Sequence, residues 1–178
     1  MQEALHNFDM NFGGTLASTN IISEKNRQYY LLSSIMEEAI ASEGSDAVTD
    51  AGYAYELATF CFKNGKNALA LESAQKALDL DPTLAGRAYM LMGTIWGSVV
   101  CSGNEIEQRA KYWVAVDYMT KAKNADETLA EDANNLIRQY AAYYPQTAEA
   151  FMYDVTNGQS YTVSCGGMRA VTTVRTQN

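Results

Sequence analysis

Histidine is nearly absent from this sequence. His6 is the only one, and the three cysteines, Cys61, Cys101 and Cys165, lie far apart. A zinc site needs about four Cys or His ligands close together, so no metal centre is expected. Cys–His nucleophilic chemistry would require His6 to reach one of those thiols, and His6 reads as a group on an exposed helix face. Neither Gly13-Gly14 nor Gly166-Gly167 is followed by the Lys-Ser/Thr of a phosphate loop. Paired acids such as Glu37-Glu38 and Glu131-Asp132 point about 100° apart on a helix and do not converge. No catalysis and no cofactor are expected.

Positive charge is also scarce. Lys and Arg number 13 against 21 Asp and Glu, a net charge of −8. Such a surface repels phosphate backbones, which excludes nucleic acid as a partner. Apolar runs fall well short of the roughly 20 residues that span a bilayer. Residues 1–5 lack the basic start and apolar stretch of a secretion signal. Residues 2–8 already read as the middle of a helical pattern, so the chain is expected to be a C-terminal piece of a longer protein.

Proline is limited to Pro82 and Pro145, and alanine is abundant, a composition that favours helices. Ala4, Leu5, Phe8 and Phe12 share a face up to Gly13-Gly14. Ser23 caps a second helix with a stripe through Tyr29, Leu32, Ile35, Met36, Ala39 and Ile40, closed by Gly44. Ser45 or Asp46 caps a third that stops at Asn64-Gly65. Further helices are expected over 66–79, 84–100, from Asn104 through Ala122, over 127–143, and briefly over 148–153. The chain then changes character. Two β-prone runs, 159–165 and 170–175, flank Gly166-Gly167-Met168-Arg169 and read as a hairpin. An isolated hairpin is marginal in water, so it is expected to lie on the helices or to pair with another chain. The reading is a helical domain over 1–158 with a hairpin tail over 159–178.

Residues 51–84 carry small residues at fixed intervals. Leu57-Ala58, Gly65, Ala70, Ala77 and Pro82 stand where the 34-residue tetratricopeptide (TPR) pattern places its Leu-Gly/Ala pair, its turn, its two small sites and its closing proline. Ala54, Cys61 and Ala74 replace larger residues of that pattern. This segment resembles the TPR family. A looser second repeat follows, with Tyr89, Met92, Gly93 and Trp96 in its first helix and Ala115, Met119 and Ala122 in its second. An insertion of about ten residues between them implies that both helices are lengthened. Residues 110–117 and 161–165 also resemble the C-terminal regions of TPR proteins from Bacteroides-type bacteria. The resemblance implies an all-α stack of helical hairpins in a right-handed superhelix, and no reaction.

It also implies a concave groove lined by Gly52, Tyr55, Thr59, Phe62 and Lys63 in the first repeat and by Arg87, Met90, Thr94 and Ser98 in the second. Such a groove takes an extended peptide or a partner helix. Thr59 and Thr94 replace the asparagines of chaperone-binding TPR domains, so that partner is not expected. The expected function is a protein-interaction scaffold. The alternative is an assembly role, self-associating through the hairpin and the long helices.

The cysteines divide. Cys61 sits at a helical core position. Cys101 and Cys165 adjoin Ser-Gly and Gly-Gly, in surroundings read as flexible and exposed. A Cys101–Cys165 disulfide would pin the hairpin to the helices and require an oxidising compartment such as a periplasm; two free thiols in a reducing cytosol are the other reading. A periplasmic or envelope-associated location is expected over a cytoplasmic one.

Overall fold

The computed structural model describes residues 30–31, 33–35, 37–38 and 46–177. The helix expected through Ala4 to Phe12, with His6, Gly13-Gly14, the Ser23 cap and Gly44, lies outside the described residues. So does most of the stripe from Tyr29 to Ile40; its Ile35 is helical and exposed. The described chain is mostly helical, with a two-stranded antiparallel sheet at its C-terminus.

Helix α1 (Ala47–Lys63) starts at Asp46, whose carboxylate accepts from the backbone N–H of Val48 and Thr49 at 3.0 and 2.9 Å. It ends at a turn in which Gly65 takes φ +73°. There the Lys66 N–H donates to the Cys61 carbonyl and the Gly65 N–H to that of Phe62. This pairing reverses the chain and satisfies the last carbonyls. Helix α2 (Asn67–Leu80) therefore packs back along α1. Ala51, Ala54 and Ala58 of α1 and Ala70, Ala74 and Ala77 of α2 are fully buried. Their small side chains let the two backbones approach closely.

Asp81 then accepts from the Thr83 N–H at 2.9 Å, and Pro82 opens a single 3-10 turn (Pro82–Leu84) that leads into α3 (Ala85–Ser98). The same device recurs one hairpin later. Asp126 accepts from the Thr128 N–H at 2.9 Å, and a 3-10 turn (Glu127–Leu129) leads into α5 (Ala130–Ala141). Between them lies α4 (Glu105–Ala125), begun by Asn104 and Glu107 in a reciprocal capping box. Of the pair flanking the insertion, only α4 is lengthened. It has 21 residues, whereas α3 has 14, the length of α2. The connection at 99–104 absorbs the remainder.

Helices α3 and α4 nest at Gly93. A Cβ built there would stand 2.7 Å from the Met119 Cε and 3.1 Å from the Ala115 carbonyl oxygen. Gly93→Leu is therefore expected to lower stability by about 1–3 kcal/mol through overpacking. Gly52, with nothing within 4 Å of its would-be Cβ, should gain about 0.5–1 kcal/mol on substitution by Ala. Urea titration of both variants checks the contrast.

A short helix α6 (Thr147–Phe151) precedes the hairpin of β1 (Ser160–Cys165) and β2 (Met168–Thr173). Its turn is tighter than the sequence suggested. Cys165 pairs directly with Met168, and Gly166 and Gly167 alone form the loop, at φ +57° and +81°. Two positive φ values match the twist of the strands they join. Met168 is drawn into the strand because its side chain is buried. Val163, Cys165, Met168 and Val174 enter the same core as Trp96, Ile106, Trp113 and Tyr144. The hairpin thus lies on the helices. The Trp113 indole N–H donates to the Arg175 carbonyl at 2.8 Å. The Arg175 guanidinium meets the Asp117 carboxylate, which also accepts from the Thr172 hydroxyl.

Candidate functional site

Helix α1 has two unlike faces. Ala51, Ala54, Leu57, Ala58 and Cys61 recur at spacings of three and four and are buried. Gly52, Tyr55, Glu56, Thr59, Phe60 and Lys63 occupy the other side. There they form one wall of a cleft of about 510 Å³, closed from the next hairpin by Leu84 and Arg87. The Arg87 guanidinium carbon lies 4.8 Å from the centroid of the Tyr55 ring, in cation–π range. This contact joins α1 to α3 across the cleft floor. The Thr59 hydroxyl donates to the Tyr55 carbonyl of its own helix at 3.1 Å.

Of the groove residues expected from the sequence, Tyr55, Thr59, Lys63 and Arg87 come together here, with Gly52. Phe62 does not join them. It borders the buried arc of α1 and packs, half-buried, against the core. Met90, Thr94 and Ser98 run on from Arg87 along one face of α3 and lie outside the cleft. The hydroxyls of Thr94 and Ser98 are spent on the backbone of their own helix, at 2.8 Å to the Met90 carbonyl and 3.0 Å to that of Ile95. Glu56, Phe60 and Leu84 line the cleft without having been expected. Glu56 and Phe60 follow Gly52 at intervals of four, so the helical period itself carried that signal. Leu84 belongs to the 3-10 turn, whose direction no pattern reveals.

A smaller depression, about 280 Å³, opens between α4 and β2 beside Asp117, Tyr118, Lys121, Val171 and Arg175. The Lys121 ammonium lies 5.0 Å from the Tyr118 centroid and 5.6 Å from that of Tyr89. Burial pushes the Tyr118 hydroxyl above its ordinary pKa, and the neighbouring Tyr89 and Asp117 add to the shift. Asp117 and Arg175 already hold each other, so this depression serves to fasten the hairpin.

Cys101 and Cys165 stand at disulfide distance, with Cα atoms 5.0 Å apart. Their surroundings differ from the exposed ones read from the flanking glycines. Both side chains are buried in the core, because the connection after α3 and the hairpin turn fold against each other there. Cys61 is buried on α1, outside that pair. Tyr143 is exposed and stacks on Tyr112 at 4.6 Å between centroids, whereas Tyr144 is buried. Among the described residues no group of three or more His, Cys, Asp or Glu is placed to hold a metal ion. No helix among them is long and apolar enough to cross a membrane. Compared with known proteins, the chain matches no protein-family model and no curated protein.

Proposed function

We propose that this chain is a TPR-like interaction module that holds a protein partner, as an extended peptide or a helix, in the cleft between α1 and α3. The reading rests above all on the cleft itself. A helix whose inner side is alanine-smooth presents an aromatic, a threonine and a cation at successive turns on its outer side. Surfaces that mix apolar rings with a few charged groups suit peptide recognition. The repeated Asp-x-Thr-Leu turns at 81–84 and 126–129, each starting a new helix, support a repeat architecture. We propose no catalytic role. The buried cysteine pair favours an oxidising compartment, a periplasm or cell envelope.

Affinity capture with the full chain tests the cleft. Tyr55→Ala and Arg87→Ala, which remove the two halves of the cation–π contact, are expected to weaken retention of a captured partner at least tenfold each. Unchanged retention by both variants would exclude the cleft as the site. The alternative, self-association, draws on the exposed Phe151 and Met152 at the end of α6 and on Val171 in β2. Removing residues 159–178 would not separate the two readings, because the hairpin shares the core. Sedimentation over a hundredfold concentration range does: a constant monomer mass leaves the cleft reading in place.

A further inference from the structure

The charges of the cleft define its occupant more closely, on the reading that the cleft binds a peptide. In a chain of net charge −8, Lys63 and Arg87 both line this one cleft. The ion pairs formed among the described residues are Arg109–Glu149 and Arg175–Asp117, so neither cleft cation is neutralised in one. The Arg87 guanidinium lies over the Tyr55 ring, and a guanidinium stacked on a ring can still donate from its edge to a carboxylate. Lys63 lies on α1 about two turns beyond Tyr55, about 12 Å along the axis. The apolar groups Phe60 and Leu84 contribute to the lining as well. Among the described lining residues Glu56 is the one carboxylate, and the two cations outnumber it.

An extended chain advances about 3.3 Å per residue, and alternate side chains point the same way. Positions i, i+2 and i+4 therefore share a face and span about 13 Å, close to the rise along α1 from Tyr55, over whose ring Arg87 lies, to Lys63. We propose that the cleft recognises an extended acidic segment of a partner protein with the pattern acidic-x-apolar-x-acidic. One carboxylate meets the Arg87 guanidinium edge-on and the other meets the Lys63 ammonium. The central apolar side chain lies against Phe60 and Leu84. Glu56 repels a third acid, so a uniformly acidic run is a poorer ligand than the alternating pattern.

The test uses the full chain and three capped synthetic peptides, Glu-Ala-Phe-Ala-Glu, Lys-Ala-Phe-Ala-Lys and Gln-Ala-Phe-Ala-Gln, titrated at low ionic strength. Binding is followed by amide chemical shifts of the cleft residues. The acidic peptide is expected to bind at least tenfold more tightly than the other two, and to weaken as salt is added. The double variant Lys63→Glu/Arg87→Glu is expected to reverse the order and prefer the basic peptide, a gain that a merely unfolded variant cannot show. Equal shifts from all three peptides would overturn the charge reading and leave the cleft as a peptide site. Shifts from none of them would overturn the proposal, and affinity capture with the alanine variants then decides the cleft separately.

Discussion

Replacing both Cys101 and Cys165 by alanine should lower the thermal midpoint by roughly 8–16 °C. The two cysteines are 64 positions apart. In the chain-entropy account, a crosslink closing such a loop stabilises by about 4 kcal/mol, through the unfolded state. Each kcal/mol shifts the midpoint of a chain of this size by roughly 2–4 °C. The half-cystines are also in the core, at 9 % and 6 % exposure, so the truncation removes packed sulfur as well. Heating the native chain with a strong reductant should reproduce most of the loss. Alkylation in denaturant provides the chemical check: without reductant only Cys61 should react, and after reduction all three cysteines. Three reactive thiols without reductant would mean that the pair is not oxidised.

Trp113→Ala should be the most damaging single truncation, at about 3–5 kcal/mol. Trp113 is fully buried on α4, meets the Tyr161 ring edge-on at 5.5 Å, and donates its indole N–H to the Arg175 carbonyl. Truncation opens a cavity beneath the hairpin and strands that carbonyl. Trp113→Phe keeps much of the volume and loses only the hydrogen bond and part of the ring, so about 1–3 kcal/mol is expected. Denaturant midpoints report both, provided the slope stays constant. A loss below about 1 kcal/mol in the alanine variant would mean that hairpin and helices do not unfold together.

The paired helices were legible in the sequence because the features that make them are local. Gly65 sits where the chain must turn left-handed, Asp81-Pro82 where one helix must stop, and Asn104 where another must begin. The alanines at 70, 74 and 77 mark the approach face by their size alone. The disulfide was legible as one of two readings, since the sequence holds the cysteine positions and the redox state depends on surroundings. The burial of Cys101 and Cys165 was not legible. Their glycine and serine neighbours signal a turn, and only tertiary packing places one turn upon another.

The cleft was half legible. Tyr55, Thr59 and Lys63 follow from the helical period, and Arg87 from the register of the next hairpin. Phe62 stays outside the cleft because it lies at the margin of the buried arc. At such a margin, a small rotation decides whether a ring faces the core or the solvent. Met90, Thr94 and Ser98 share a face with Arg87, but the cleft closes before it reaches them. The grip of Arg175 on Asp117 and Trp113 joins positions far apart in the chain, so no spacing rule could have found it.

Hydrogen–deuterium exchange of the full chain, alone and with its captured partner, locates the face that the partner covers. Protection confined to 52–63 and 84–87, with the outer face of α2 unchanged, is the expected result. Protection confined instead to 151–153 and the hairpin, with the cleft amides exchanging as before, would contradict it.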